Sequence, residues 1–254
     1  MLRSRIIPCL LVHKGGLTKT INFKNHKYVG DPINAVKIFN EKEVDELMVI
    51  DIDATAEKKT PNFELIKNLA EECRMPLCYG GGITTKDEAS QIISLGVEKI
   101  ALSSTAVANP EFCNDIGAII GNQSVVVVID TKKRKLFGGY DVYTHNGKNK
   151  SHWKLDELIN KLDQIGIGEI VINSIDNDGL MNGYDFNLAK HVRKMCSMPL
   201  TLMGGASDYD DLKKLVTEFR IIGAAAGSLF VFKGKYRAVL INYPDQEERK
   251  KIYS

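Results

Sequence analysis

Two stretches decide the architecture: MPLCYGGG runs from Met75 to Gly82, and MPLTLMGG runs from Met198 to Gly205. A second pair, VDELMVIDID from Val44 and IGEIVINSID from Ile167, repeats at the same offset of 123 residues. One such match is within reach of chance. Two at one offset mark an internal repeat of about half the chain, four strands per copy. Around these anchors the chain keeps one rhythm: a short run of Ile, Val and Leu, a small or acidic turn, then a longer amphipathic stretch. The pattern predicts strands over Ile6–Leu11, Glu46–Asp51, Pro76–Tyr79, Lys99–Leu102, Ser124–Asp130, Glu169–Asn173, Pro199–Met203 and Ile221–Ala226. Helical patterns cover Pro32–Lys42, Asn62–Cys73, Lys86–Leu95, Lys154–Ile165, Asp185–Met195 and Asp208–Thr217. Eight strands alternating with helices is the count of an α/β (β/α)8 TIM barrel, here built from two half-barrel repeats. The rival, a doubly wound open sheet, wants a G-x-G-x-x-G turn after its first strand, and that turn is missing. Lys132–Lys150, the longest irregular stretch, reads as an elaborated βα loop with room for a small hairpin.

Composition narrows the function classes. The chain has 254 residues, 44% hydrophobic and 26% charged, enough to bury a sizeable core in one domain spanning 1–254. Its 34 Lys and Arg against 32 Asp and Glu leave +2, too balanced for a broad nucleic-acid or polybasic membrane surface. Neither nucleic acid nor membrane is expected as a partner. No apolar run reaches the roughly 18 residues of a membrane span. The opening MLRSRIIPCLLVHKGG reads as a strand and not a signal peptide, because its apolar run is short and ends at His13 and Lys14. The five cysteines (Cys9, Cys73, Cys78, Cys113, Cys196) are odd in number and form no C-x-x-C pair, as expected of reduced core thiols in a cytoplasmic protein. His13, His26, His145, His152 and His191 show no helical metal spacing and read as loop or surface residues. No metal or other cofactor is expected.

Function in this architecture sits at the C-terminal ends of the strands. Those positions carry Leu11, Asp51 and Asp53, Gly81 and Gly82, Ser103 and Ser104, Asp130, the run from Asn173 and Ser174 through Asp176 to Asp178, Gly204 and Gly205, and Ser228. Glycine lets a backbone approach a ligand closely and offers N–H groups to phosphate oxygens. Gly81–Gly82 with Ile83, Thr84, Thr85, Ser103 and Ser104 would form one phosphate cup; Gly204–Gly205 with Ser207 and Ser228 would form its twofold mate. For a single glycine pair a tight βα turn is explanation enough. Two equivalent pairs, each followed by hydroxyls, favour a ligand phosphorylated at both ends. Asp130 closes an apolar strand, VVVVID, and points to general acid–base work. Asp51 and Asp176 divide evenly between that role and helix capping, and Asp53, Asp178 and Asp185 read as caps. At the opposite end Arg5, Glu46, Lys99 and Glu169 stand at the starts of strands one, two, four and six. Together they would make a neutral ring across the barrel bottom. Such a ring seldom adds stability over an apolar plug, so it suggests a gate; taken singly, each is an ordinary solvated strand-end charge.

These residues together resemble the cyclase subunit of imidazole glycerol phosphate synthase. The likeness runs end to end: RIIPCL at Arg5, GDPINA at Gly30, DELMVIDIDA at Asp45, YGGGI at Tyr79, VEKIALSSTAV at Val97, SVVVVID at Ser124, GEIVINSIDNDGLMNGYD at Gly168 and GGAS at Gly204. The resemblance implies a glutaminase partner whose ammonia enters at the bottom past Arg5, Glu46, Lys99 and Glu169. It implies a bis-phosphorylated substrate at the top, with Lys19 on a mobile substrate loop after the first strand. One departure stands out. The family pairs a catalytic aspartate ending strand one with another ending strand five; the second is Asp130, and the first is Leu11. Ser103 replaces a usual Asn, and Asn173 a usual Thr. With the ending AAAGSLFVFKGKYRAVLINYP, the chain looks like the divergent second copy found beside surface-polysaccharide genes. That resemblance implies ammonia delivery to a third protein, an amidotransferase making an acetamidino sugar. A working cyclase and a non-catalytic scaffold that only activates the glutaminase are the alternatives.

Overall fold

The computed structural model describes residues 3–136 and 138–254. Eight parallel strands form the barrel: β1 (Arg5–His13), β2 (Leu47–Asp51), β3 (Leu77–Gly80), β4 (Lys99–Leu102), β5 (Val125–Lys133), β6 (Glu169–Ser174), β7 (Leu200–Met203) and β8 (Gly223–Ala226). Each pairs with the next, and β8 returns to β1 with Gly223 beside Arg5 and Ala226 beside Pro8, which closes the sheet. The expected TIM barrel is the fold observed. Helices Pro32–Glu41, Phe63–Glu72, Lys86–Ser94, Leu155–Ile165, Phe186–Arg193 and Tyr209–Phe219 connect the strands. Five of these six start where a side chain of Asp31, Asn62, Thr85, Asp185 or Asp208 accepts a first-turn backbone N–H. Two further helices have no counterpart among the sequence expectations: Glu111–Ile120, which begins after Pro110 without a side-chain cap, and Gln246–Tyr253, which is capped by Asp245 but buries only Ile252.

Alternation along each strand divides the apolar residues into two bodies. The outward set packs under the helices and includes Ile6, Leu10, Leu47, Val49, Leu77, Ile100, Val127, Ile170 and Leu202, all essentially inaccessible. The inward set is smaller: Ile7, Cys9, Met48, Cys78, Ala101, Val126, Val128, Val171, Met203 and Ala225. Below it the four strand-start charges meet. Arg5 contacts both Glu46 and Glu169, with Nη2 2.8 Å from Glu169 Oε1. Lys99 Nζ lies 2.9 Å from Glu46 and 3.1 Å from Glu169. Burial opposes the charge on Arg5, yet the two carboxylates hold it above its ordinary value; burial likewise opposes Glu169, and Arg5 and Lys99 hold it below its own. Thr201 donates to Glu169, and a Cβ at Gly223 would fall on the Thr201 hydroxyl, so the small residue on β8 leaves room for that bond. The charges form one network.

The nine-residue strands β1 and β5 open the two halves and run past the barrel into antiparallel hairpins. Gly16–Ile21 and Lys24–Gly30 continue from β1, with Thr18 beside Leu11. Tyr140–Thr144 and Asn149–Lys154 continue from β5, with Tyr143 beside Asp130. The stretch read as an elaborated βα loop over Lys132–Lys150 does carry a small hairpin, and the expected substrate loop after the first strand is a hairpin with Lys19 in its first strand.

The repeat is visible in backbone contacts. Gly81 has φ +123° and Gly204 φ +93°, conformations that disfavour any side chain. A Cβ on Gly81 would meet the Asp51 carbonyl at 2.4 Å, and one on Gly204 would meet the Ser174 carbonyl at 2.8 Å. Asp51 and Ser174 are themselves related by the repeat offset. Gly81→Ala and Gly204→Ala should each destabilise the fold by more than about 1 kcal/mol, since strain and backbone collision coincide. Denaturant melts check this; a neutral effect at either position would mean that the turn is not sterically set.

Candidate active site

A cavity of about 200 Å³ opens at the C-terminal ends of the strands. It gathers most of the expected residues: Lys19, Asp51, Gly81, Gly82, Ser103, Ser104, Asp130, Asn173, Gly204, Gly205 and Ser228 line it, with Leu11 among them. Short helices begin at Ser104 and Ser228, one beside each glycine pair. Part of each expected cup is turned away. Thr84 and Thr85 are tied to Glu88 as the cap of the following helix, and Ser207 donates to Asp211 at 2.6 Å.

Ser174 and Asp176 do not line the cavity. Strand alternation turns Asn173 inward and therefore Ser174 outward, where its carbonyl accepts the N–H groups of Asn177 and Asp178. Asp176 Oδ2 instead accepts the Lys133 amide at 2.7 Å and holds down the β5 extension. Two residues on, the chain turns back and delivers Asp178, which sequence reading had as a cap. Its carboxylate accepts from Thr20 Oγ1 at 3.2 Å. Burial raises its pKa, and neighbouring Lys19 offsets part of that rise. Asp185 does cap its helix. Asp51 lines the cavity but spends Oδ1 on the amides of Asp53 and Ala54 at 2.9 and 3.1 Å; it ties down the turn after β2 and caps no helix, the next one starting at Phe63 with Asn62 as its cap.

Lys19 is 5% exposed, its ammonium donating to the Cys9 carbonyl, and burial lowers its pKa. Gly227 makes this possible, since a Cβ there would overlap the Lys19 side chain. The histidines are more involved than their spacing suggested. His13 Nδ1 lies 2.7 Å from Asp53 and its ring stacks on His26 at 4.3 Å, while His26 and His145 both line the mouth. Only the hairpins bring them there, and no local motif announces it.

Asp130 and Asn173 are partners by register, each directly across from the other on β5 and β6. Asn173 Nδ2 donates to Asp130 Oδ1 at 2.9 Å. Burial pushes Asp130 up to about 7 despite that bond, with Asp178 adding to the rise. A carboxyl poised near neutrality can hold or give up a proton at the mouth. Four strands away around the barrel, β1 offers Leu11 where a second carboxyl would stand; the titratable neighbour it does bring to the cavity is Cys9, whose thiol burial pushes up to about 11.

Residues 5–237 match the family described as "Histidine biosynthesis protein". The chain is also 52% identical over 253 residues to a protein of Leptospira interrogans named "Putative imidazole glycerol phosphate synthase subunit HisF", with both chains covered completely. The chain belongs to the HisF family. A hisF2 protein of Pseudomonas aeruginosa, bearing the same synthase name, is 48% identical over 245 residues, 96% of this chain and 97% of that one. The imidazole glycerol phosphate synthase subunit HisF of Buchnera aphidicola is 37% identical over 234 residues, 91% of each chain. HisF homologues are the cyclase subunits of that synthase, so this HisF-family barrel is of the cyclase-subunit type. Among the described residues, no group of three or more His, Cys, Asp or Glu side chains is arranged to hold a metal ion. Among them, too, no helix is long and apolar enough to cross a membrane.

The raised Asp130 sets a pH dependence. The unfolded carboxyl ionises near 3.8 and the folded one near 7, so the native state binds more protons between these values and loses stability as pH rises through them. Asp130→Asn should therefore gain on wild type from pH 5 to pH 8, by roughly 1–3 kcal/mol. Urea melts at both pH values test it; a difference that does not change with pH would mean that Asp130 titrates normally.

Proposed function

We propose that this chain is the ammonia-receiving barrel of a glutamine amidotransferase, with ring closure no longer its chemistry. The observation that carries the reading is the combination of an intact four-charge ring at the bottom with Leu11 at the end of β1. HisF-family subunits work with a glutaminase, and the ring lies where its ammonia would enter. Glu98, exposed beside Lys99 and bonded to the Leu77 amide at 2.7 Å, belongs to the same docking face. Above the ring the inward side chains are apolar, Ile7, Met48, Val126, Val128 and Ala225 among them. Such a lining suits a neutral small molecule and penalises ammonium. The two glycine cups suit a phosphorylated acceptor. The acceptor we assign is an acetamido sugar of surface polysaccharide, amidinated with a third protein. Supporting this are the resemblance of the chain to the divergent copy and the higher identity to hisF2 than to the Buchnera subunit, 48% against 37%.

A second reading keeps ring closure, and Asp178 is the observation that favours it. It supplies a buried carboxylate at the mouth where Leu11 cannot. The two readings separate in one assay. With ammonium salt as nitrogen source and the imidazole glycerol phosphate precursor as substrate, wild type should show little turnover. Leu11→Asp should raise it, by about 10²–10⁴ if the rest of the site is competent. Wild-type turnover in the common enzymatic range of about 1–10³ s⁻¹ would restore the cyclase.

The docking face has its own test. The barrel should co-purify with its cognate glutaminase and stimulate glutamine hydrolysis. Lys99→Ala should disturb that coupling, because it leaves Glu46 and Glu169 sharing Arg5 alone. A wild-type barrel that neither binds nor stimulates the glutaminase sinks the proposal.

A further inference from the structure

One polar atom at the mouth is unsatisfied. Asn173 is 3% exposed, and its Oδ1 is buried with no hydrogen-bond partner among the described residues, whereas its Nδ2 is spent on Asp130. A buried acceptor left unmade costs free energy, and such an atom in a cavity wall calls for a donor from a ligand. Gly204 keeps the atom uncovered: a Cβ there would lie 2.9 Å from Oδ1. Asp130 commits only Oδ1 to Asn173, so its other oxygen is free for a ligand. The β5–β6 register holds the two side chains shoulder to shoulder on rigid strands.

We propose that Asn173 Oδ1 and the second carboxylate oxygen of Asp130 form a paired acceptor for a planar group with two N–H donors, an amidine. The inference rests on the reading above, in which an acetamido acceptor leaves as an acetamidino product. An amide fits poorly, because its carbonyl oxygen would face one of the two acceptors. An amidinium presents N–H on both arms, and a carboxylate beside a neutral acceptor provides charge and geometry together. A hydroxyl in place of Asn173, the residue the family usually carries here, would leave one acceptor out of reach. Asn173 is thus a specificity-determining residue.

The probe is acetamidinium chloride, titrated into the intact chain and followed by backbone amide shifts. It should perturb β5 and β6 at the mouth, while tetramethylammonium, a cation with no N–H, should not. Asn173→Leu should weaken acetamidinium by about 10- to 100-fold, the cost of one hydrogen bond to a charged group. Asn173→Asp restores an acceptor and should bind at least as tightly as wild type. If Asn173→Leu does not fold, Asp130→Asn answers the same question, with a loss of about tenfold expected. Equal response to both cations, or unchanged affinity in Asn173→Leu or in Asp130→Asn, overturns the inference. Both variants should still co-purify with the glutaminase, so loss of amidinium binding and loss of docking are separate failures.

Discussion

Closing eight short strands into a ring forces every second residue into one narrow interior, and the rest of the molecule answers to that constraint. Only about three layers of side chains fit along the axis. Here they differ in kind. Charges fill the bottom, apolar groups the middle, and carboxyl, amide and hydroxyl groups the mouth. The same alternation sends Leu10, Val49 and Val127 outward to bind the helices. Polar chemistry on the inside therefore coexists with an unbroken apolar shell outside, and stability resides mainly in that outer shell.

Each polar layer is balanced in a different way. At the bottom, opposite charges neutralise one another and all four side chains have partners. At the mouth, Asp130, Asp178 and Lys19 are each shifted by burial towards their neutral forms, and Asn173 lacks one partner. A satisfied network is suited to holding shape. A layer with shifted protons and an open acceptor is suited to binding and reacting, and it costs stability that the outer shell supplies.

Much of this was legible in the chain. The short apolar runs located all eight strands, because a strand buried on both faces is written as a nearly unbroken stretch of Ile, Val and Leu. Repeat spacing tied Gly81 to Gly204 before any contact was visible. What escaped were features set by turns and by long-range pairing. Asp176 and Asp178 both lie in one acidic turn, and only the backbone path decides which enters the mouth. His26 and His145 arrive there on hairpins, and no local motif marks either as a residue of the mouth. Ser174 was misplaced by a single residue, enough to turn it to the other face of its strand.

The bottom ring also bears on how such a chain can diverge. Each carboxylate there touches both cations, so any single replacement that removes a charge leaves the network unbalanced. Tolerated change has to arrive in compensating steps, which are rare as mutational paths. The mouth has no such bookkeeping: Leu11, Ser103 and Asn173 each occupy a separate strand end and can be exchanged one at a time. On the function proposed above, a barrel built this way is free to acquire a new acceptor while its dependence on an upstream supplier of ammonia is inherited almost unaltered.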